Sequence, residues 1–454
     1  MSSNTLEPGE IRVGWIHYKK SNGSETPLPS VLRNEDGKTL LIIPLSPDEP
    51  DAILRKWFTG RSIWTKEDPD FSKYDYEPPQ SIIFADSRGK VGLFRCHSLG
   101  YRELLGGAGE GRISVGFAVF GANTFTYETP THLRTFIPGM GKWTGMQTIQ
   151  VDTTYDSDGL GDSLVIRTKN INPVQLKPGV MLKTSWSTRQ RIEDNWYQVQ
   201  DPPFIESVFD EGIGFDKHLS AHGAFLDLVD IAYWKPAGYS RVLCYVEGDD
   251  ALGIAKQWRE VQTNYVRQQA EVDKRRENPL FSFSEIGAEG YQKWVELRSR
   301  MSKAIAPLMT LLDLKGSFIE TKFVQSCMGL EGIGVQLLRD DGDYNSKKHI
   351  LKKRLQRIAD EIGFSFSNDW AERTASLYND IKHYDRDAVI DPIVIRNRLL
   401  ENQLMFRSWA AIQIGIEPSV VEDRIQYTSD AQQLVGEPGI SFKNYSRRLT
   451  TSYF

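Results

Sequence analysis

The chain changes its pattern near residue 250, and this change limits the possible folds more than any other feature. Before it, glycine and proline separate short runs of β-branched and aromatic residues, which is typical of strands joined by turns. The spacing of these runs predicts a β-sandwich or an open barrel over residues 1–250, interrupted by one helix at Gly214–Ile231. The predicted strands are Ser81–Asp86 and Lys90–Arg95 as a hairpin, then Arg112–Phe120, Asp162–Thr168, Val180–Trp186 and Ser240–Val246.

After residue 250 the pattern becomes helical. Residues 251–283 are predicted to form a helical linker, because an apolar stripe that includes Trp258 and Val261 runs through a charged segment. Residues 284–454 are predicted to form a helical domain, in which Pro307 should kink or divide the first helix. The predicted helices are Ser284–Leu314, Phe318–Leu338, Lys347–Ile362, Asp369–His383 and Pro392–Ile414. The fold class is therefore α+β, with a β-rich domain followed by an all-α bundle.

Composition narrows the classes of protein that the chain can belong to. A length of 454 residues favours more than one domain, and a net charge of -5 means that any nucleic-acid site must be a local patch. The three cysteines are far apart in the sequence, which favours neither a disulfide framework nor a metal site and suits a reducing cytoplasm. The N-terminus does not have the pattern of a signal peptide, and no apolar run is long enough to predict a membrane span.

The most informative motif is the polar run Tyr378-Asn379-Asp380-Ile381-Lys382-His383, which ends a predicted helix. Asn379 and His383 are four residues apart, so they share a helix face, and Lys382 and Arg386 add positive charge. A positioned imidazole with cationic neighbours is what acid–base chemistry on a phosphodiester requires. The alternative is a surface helix end, where a histidine favours the C-terminal dipole without any catalytic role.

Three further features remain open from the residues alone. A basic helix is either an RNA-backbone contact or a solvated face; its residues are Lys347, Lys348, Lys352, Lys353, Arg354 and Arg357. Glu331 is either a partner for a cationic active-site group or an ordinary surface acid. His218 and His222 have the spacing of a zinc pair, and Asp216 and Asp227 are nearby in the sequence. No glutamate directly follows the first histidine and no cysteine is close, so we expect helix-surface histidines and no metal site.

Several stretches resemble the ApeA family. The segment Phe318–Glu331, the Tyr378-Asn379-x-x-x-His383 motif and the closing Leu399–Ile416 helix are similar to the ApeA-like HEPN domain. The stretch from Ile113 to Trp143 resembles the ApeA N-terminal domain. HEPN proteins are commonly metal-independent RNases that act as dimers, and ApeA-type proteins serve anti-phage defence by abortive infection. The resemblance therefore implies RNA cleavage, with tRNA as the expected substrate, in a homodimer without a cofactor.

The resemblance also implies residue roles, with one departure from the family motif. His383 would be the acid–base residue, and Asn379 would orient it or bind phosphate, whereas Tyr378 stands where the family has arginine. A phenol is neutral at pH 7, so Lys382 or Arg386 would have to supply the charge. The N-terminal domain would sense a phage-derived trigger or gate the nuclease. The alternative is a non-catalytic dimer that binds RNA or another partner through an aromatic-rich β domain containing Trp57, Trp64, Trp143, Trp186, Trp196 and Trp234.

Overall fold

The computed structural model of the chain describes most of its length. The described residues are 4–19, 25–45, 54, 57–58, 78–103, 109–191, 196–251, 255–267, 279–345, 350–363, 369–383, 391–436 and 440. Arg386, Lys347 and Lys348, which the sequence analysis singles out, lie outside these ranges.

Eighteen strands form within the described residues, and all of their pairings are antiparallel. The first six are β1 (Ile11–Lys19), β2 (Glu25–Glu35), β3 (Lys38–Leu45), β4 (Ser81–Asp86), β5 (Gly89–Glu103) and β6 (Gly109–Phe120). The next six are β7 (His132–Phe136), β8 (Ile149–Tyr155), β9 (Gly161–Thr168), β10 (Val174–Lys177), β11 (Val180–Thr184) and β12 (Ser187–Arg191). The last six are β13 (Trp196–Gln200), β14 (Pro203–Val208), β15 (Arg241–Tyr245), β16 (Asp250–Ala251), β17 (Ala255–Lys256) and β18 (Arg259–Thr263).

The first six strands close into a barrel. Their order is β6-β3-β2-β1-β4-β5, and β5 pairs back onto β6, so the ring has no free edge. Its interior is apolar because alternate residues point inward; Ile16, Leu41, Phe84 and Ile113 are all completely buried. This confirms the barrel-like prediction for the N-terminal region and shows that the barrel is closed.

The sheet continues beyond the barrel through β6. Strands β18, β15, β7, β14, β11 and β10 follow in that order, and they form an open antiparallel extension. Separate two-stranded ribbons are formed by β8 with β9, by β12 with β13 and by β16 with β17. The helix predicted at Gly214–Ile231 is confirmed: it spans Phe215–Tyr233 and packs on β7 and β14.

The predicted helical linker is wrong over its described part. Residues Arg259–Thr263 form strand β18, which pairs with β15 on one side and with β6 on the other. Val261, part of the apolar stripe that suggested a helix, is buried opposite Val119 of β6. This strand joins the closed barrel to the open extension, so tertiary pairing has overridden a local helical pattern.

Ten α-helices lie within the described ranges. The first five are α1 (Met140–Thr144), α2 (Phe215–Tyr233), α3 (Phe283–Arg300), α4 (Ser302–Thr310) and α5 (Ile319–Asp340). They are followed by α6 (Leu351–Ile362), α7 (Trp370–Lys382), α8 (Pro392–Gln413), α9 (Pro418–Ile425) and α10 (Ser429–Gln432). The predicted first helix is divided at Met301, not at Pro307, which lies inside α4. In the described part of the chain, no helix is both long and apolar enough for a bilayer crossing.

Helix α8 runs through the centre of the helical region. It begins as the sequence predicts: Pro392 occupies the first turn, and the Asp391 carboxylate accepts a hydrogen bond from the amide of Ile393 at 2.8 Å. The helix is buried on nearly all sides, so its charged residues need partners. Arg398 pairs with Glu401 on the same helix.

The β-rich and helical regions share one hydrophobic core. A single cluster contains Phe225 of α2, Trp294 of α3 and Trp409 of α8, and it also extends to Leu133 of β7. Arg407 of α8 reinforces this contact. Its guanidinium donates hydrogen bonds to two carbonyl oxygens in the last turn of α2, those of Ile231 and Ala232, each at 3.0 Å. A cation at a helix C-terminus is favoured by the helix dipole. The helical region therefore packs directly onto the extended sheet.

Candidate active site at the end of helix α7

Helix α7 positions the predicted histidine at its C-terminal end. His383 is the residue that follows the last helical turn, and its amide donates to the Asn379 carbonyl oxygen at 2.9 Å. The backbone of His383 is extended, with φ -102° and ψ 104°, so the helix does not continue through it. The His383 side chain is exposed, whereas Asn379 is half-buried. An imidazole in this position is accessible to a large substrate.

Tyr378, five residues before His383, is held in place by its packing against α5. Its ring packs against a small apolar cluster that includes Phe323 and Cys327 of α5 and Leu377 of α7. Partial burial raises the pKa of the Tyr378 phenol, and the nearby charge of Glu331 raises that pKa further. The phenol is therefore a neutral hydrogen-bonding group at pH 7. The Lys382 ammonium lies 5.5 Å from the centre of the Tyr378 ring, which places one cation beside the motif.

Glu331 connects this motif to a second cation. The Glu331 carboxylate forms an ion pair with the guanidinium of Arg354 on α6. Helices α5 and α6 approach closely because residue 334 is glycine; a Cβ there would overlap the backbone of Arg354. The Arg354 side chain is only 15% exposed. Glu331 is thus a partly exposed acid that pairs with a cation of the neighbouring helix, and an active-site role for this pair stays a prediction.

The remaining residues of the basic helix are largely neutralised. Lys352 pairs with Glu372 of α7 at 3.1 Å, and Arg357 pairs with Asp341 at 2.6 Å. Lys353 is exposed and has no carboxylate partner among the residues that the structure describes. The basic face is therefore more modest than the sequence suggests, and Lys353 is its most available described charge.

His218 and His222 are not the surface histidines that the sequence predicted. Both are completely buried on the inner face of α2, the helix to which they belong. His218 and His222 each share a hydrogen bond with the hydroxyl of Ser207, at 2.6 and 2.9 Å, and His222 also contacts the Thr135 hydroxyl at 2.8 Å. Burial lowers the pKa of His218 to about 4 and that of His222 to about 3, so both are neutral. Throughout the described ranges, no three His, Cys, Asp or Glu side chains are grouped so that they could hold a metal ion.

The arrangement at the end of α7 combines three chemical functions. An exposed imidazole can accept or donate a proton, a half-buried amide can orient it, and Lys382 provides positive charge nearby. The sequence identified the residues of α7 because they are contiguous. It left Arg354 open between an RNA contact and a solvated face, and it missed the pairing of Arg354 with Glu331. The run of small residues on α5, Gly329, Gly332 and Gly334, is the signal that α5 packs closely against its neighbours.

Comparison with known protein families accounts for both halves of the chain. The model of ApeA N-terminal domain 1 matches residues 14–294, and the model of the Apea-like HEPN domain matches residues 322–419. Neither the curated proteins nor the solved structures contain a match. The HEPN match includes Glu331, Arg354 and the whole of α7. Since the first match alone spans more than half of the chain, this protein belongs to the ApeA family of HEPN-containing defence proteins.

Proposed function

We propose that this protein is a metal-independent endoribonuclease that acts as a homodimer in anti-phage defence, with tRNA as its substrate. The observation that carries the proposal is the exposed His383 at the end of α7, with Lys382 next to it and Asn379 one turn before it. RNA brings its own nucleophile, the 2′-hydroxyl, so the protein needs only to move protons and to stabilise charge.

In the proposed mechanism, one His383 accepts the proton of the 2′-hydroxyl as its oxygen attacks the phosphorus. His383 from a second copy donates a proton to the 5′-oxygen as the bond from phosphorus to that oxygen breaks. The products are a 2′,3′-cyclic phosphate and a free 5′-hydroxyl. Lys382 offsets the negative charge that builds up on the phosphoryl oxygens. Because one motif supplies one histidine, a two-fold dimer would bring both to one cleft.

An apolar groove next to α7 supports a dimer face. The groove is lined by Pro307 of α4, Val324 and Met328 of α5, and Ile381 of α7, only two residues before His383. Met328 is 54% exposed, and Phe318, at the start of α5, is 82% exposed. Large exposed apolar side chains of this kind favour contact with another protein surface. A second copy docked here would lie beside the catalytic motif.

The β-rich region is the proposed sensor of a phage-derived trigger. The ribbon formed by β8 and β9 exposes an apolar face, with Val151 paired to Ile166 and Leu164 on the same face. A two-stranded ribbon is marginally stable alone in water, so such a face favours a protein partner with an apolar surface of its own. Phage protection that survives Leu164→Asp unchanged would argue against this docking surface.

The presence of a tyrosine at residue 378 favours a second candidate function, a non-catalytic HEPN dimer that binds RNA or protein. Its half-buried phenol cannot replace the charge of a guanidinium. In this alternative the aromatic residues of the β region would bind a partner. Trp143 and Trp234 are buried in the core, however, whereas Trp186 is 47% exposed.

An RNA-cleavage assay on the purified chain tests the proposal. The parent should cleave tRNA with EDTA present, and His383→Ala should abolish cleavage without affecting folding, because His383 is exposed. His97→Ala is the matched control, since His97 is exposed on β5 and should retain full activity. Cleavage by His383→Ala at the parental rate would refute the assignment. Protection of cells by a protein that cleaves no RNA would favour the binding alternative.

A further inference from the structure

A cavity lies between helix α2 and the consecutive helices α3 and α4. Its walls come from α2 in the β-rich region and from α3 and α4 in the helical region. Its volume is about 650 Å³, which is within the usual range for sites that hold small molecules. None of the residues proposed for catalysis lines it. The cavity is therefore a second place at which the protein could bind a ligand.

One cation of the cavity wall has no ion-pair partner. Arg298 pairs with Asp227 at 2.8 Å, and Arg267 pairs both with Asp313 at 3.0 Å and with the buried Asp230 at 2.7 Å. Lys177, at the end of β10, also lines the cavity and has no carboxylate partner within the described ranges. Lys177 is therefore the charge in the wall that is available for an anion.

The rest of the lining separates into a polar and an apolar part. Three serines present hydroxyl groups that make no side-chain hydrogen bond to any residue described in the structure: Ser220, Ser299 and Ser302. The apolar part of the lining is formed mainly by Val295, Ile305 and Met309, which lie on the same two helices as Ser299 and Ser302. A ligand that fills this cavity well therefore has an anionic group, several hydroxyls and an apolar ring.

We propose that this cavity binds a nucleoside phosphate. The phosphate would lie between Lys177 and Arg298, the ribose hydroxyls would contact the serines, and the base would pack on Ile305 and Met309. A purely apolar ligand would leave the charged groups without hydrogen bonds to solvent, which is costly. A simple inorganic anion would leave the apolar wall uncovered. The nucleoside phosphate is the ligand class that satisfies both parts of the lining.

The cavity is also connected to the candidate active site through helix packing. Helix α4 lines the cavity with Ile305, and elsewhere on its surface it packs against α5. This contact is tight, because a Cβ at Gly329 would overlap Leu308 and a Cβ at Gly332 would overlap Ala304. Glu331 lies between these two glycines. We therefore expect an occupant to change RNA cleavage, a consequence that rests on the proposed function, whereas binding itself does not.

Calorimetric titration of AMP, ADP and GMP into the full chain tests binding without RNA. The parent should bind at least one of them at micromolar concentration, and Lys177→Glu should weaken that affinity by about tenfold or more. Ser299→Trp should abolish binding, because Ser299 is exposed at the cavity wall and an indole would fill the space. Inorganic phosphate, which lacks the base, should bind much more weakly than AMP.

Two controls make the result specific to the cavity. Lys303 is exposed on α4 and does not line the cavity, so Lys303→Glu should retain parental affinity. His383→Ala should also retain it, which separates this site from the RNA site. No detectable binding of any of the three nucleotides at millimolar concentration would overturn the proposal. Equal weakening by Lys303→Glu and Lys177→Glu would do the same. Binding without any change in RNA cleavage would refute only the regulatory consequence.

Discussion

At position 378, a phenol stands where the HEPN motif of the family has a guanidinium. Arg354 from α6 is paired with Glu331, whose charge acts on the Tyr378 phenol, so this ion pair adds no net charge beside the motif. The Lys382 ammonium lies 5.5 Å from the centre of the Tyr378 ring. In the proposed mechanism, Lys382 rather than the residue at position 378 would supply the charge that phosphoryl transfer requires.

Replacing Tyr378 tests whether this substitute charge is sufficient. Tyr378→Arg places a guanidinium beside Glu331, and if missing charge limits the rate, cleavage should increase by up to about a hundredfold. The initial rate of tRNA cleavage in EDTA is the measurement. Tyr378→Phe is the control, since it keeps the packing against Phe323 and Leu377 and should not increase the rate. An unchanged rate for Tyr378→Arg would mean that Lys382 already supplies enough positive charge for the reaction.

The two buried histidines predict how stability depends on pH. Their folded pKa values, about 4 for His218 and about 3 for His222, lie below the usual value near 6.5. Below pH 6.5 the unfolded chain therefore binds protons that the folded chain does not. The stabilising contribution is complete above pH 6.5 and is lost as the pH falls towards 4. At pH 5 the loss should be roughly 2 kcal/mol for each histidine.

Urea denaturation at pH 7 and at pH 5 measures this effect. His222→Gln removes one of the two titrating groups, so the variant should lose less stability than the parent between these pH values. His97→Gln, at an exposed position on β5, should show the parental pH dependence. Identical pH dependence in all three proteins would contradict a neutral, buried His222.

At the scale of elements, helix α6 shows how a sequence overstates a basic surface. Three of its cations pair with carboxylates: Lys352 with Glu372, Arg354 with Glu331, and Arg357 with Asp341. The pair of Arg354 with Glu331 holds α6 against α5, and the pair of Arg357 with Asp341 holds it against the residue directly after α5. The pair of Lys352 with Glu372 holds α6 against α7. The basic residues thus contribute to the assembly of the site as well as to its charge.

Because Lys353 is the residue of α6 without a carboxylate partner in the described ranges, it is the residue at which to reverse the charge. Lys353→Glu should weaken RNA binding and flatten its salt dependence, lowering the slope of log affinity against log salt by about 1 or 2. Fluorescence anisotropy with labelled RNA over a salt series measures both quantities. Lys315→Glu, at an exposed lysine after α4, is the control and should change the slope less. Parental affinity and slope for Lys353→Glu would identify α6 as a solvated face.

At the scale of the whole molecule, the β-rich and helical regions act as one packed body with a shared core. The hydrophobic cluster runs from the extended sheet through α2 into α3 and α8, and Arg407 ties α8 to the end of α2. A signal received by the β region would not need a flexible linker to reach the helices. One apolar surface outside this shared core is the groove beside α7, which Met328 and Ile381 both line.

Met328→Asp tests whether this groove is the dimer face. A buried carboxylate in an apolar interface is costly, so the variant should be monomeric by light scattering and should lose RNA cleavage. Leu160→Asp is a matched control, because Leu160 is exposed on the ribbon of the β region. It should remain dimeric. A parental protein that is strictly monomeric at micromolar concentration would count against the composite active site.

The sequence by itself determined most of the helical region, because helix signals are local. The predicted helix Asp369–His383 is observed as Trp370–Lys382, and the predicted start at Pro392 is the observed start of α8. The closed barrel could not be predicted, because closure depends on β5 pairing with β6, and sandwich and barrel have the same alternation. Strand β18 was missed because its structure depends on β6, which lies more than a hundred residues earlier.

The same distinction applies to the site. The motif from Tyr378 to His383 could be identified from sequence because helical spacing alone places Asn379 and His383 on one face. The pairing of Glu331 with Arg354 and the burial of His218 and His222 were decided only by tertiary structure. A side chain's charge and burial depend on residues that the fold brings from elsewhere in the chain, and no local pattern records which residues those are.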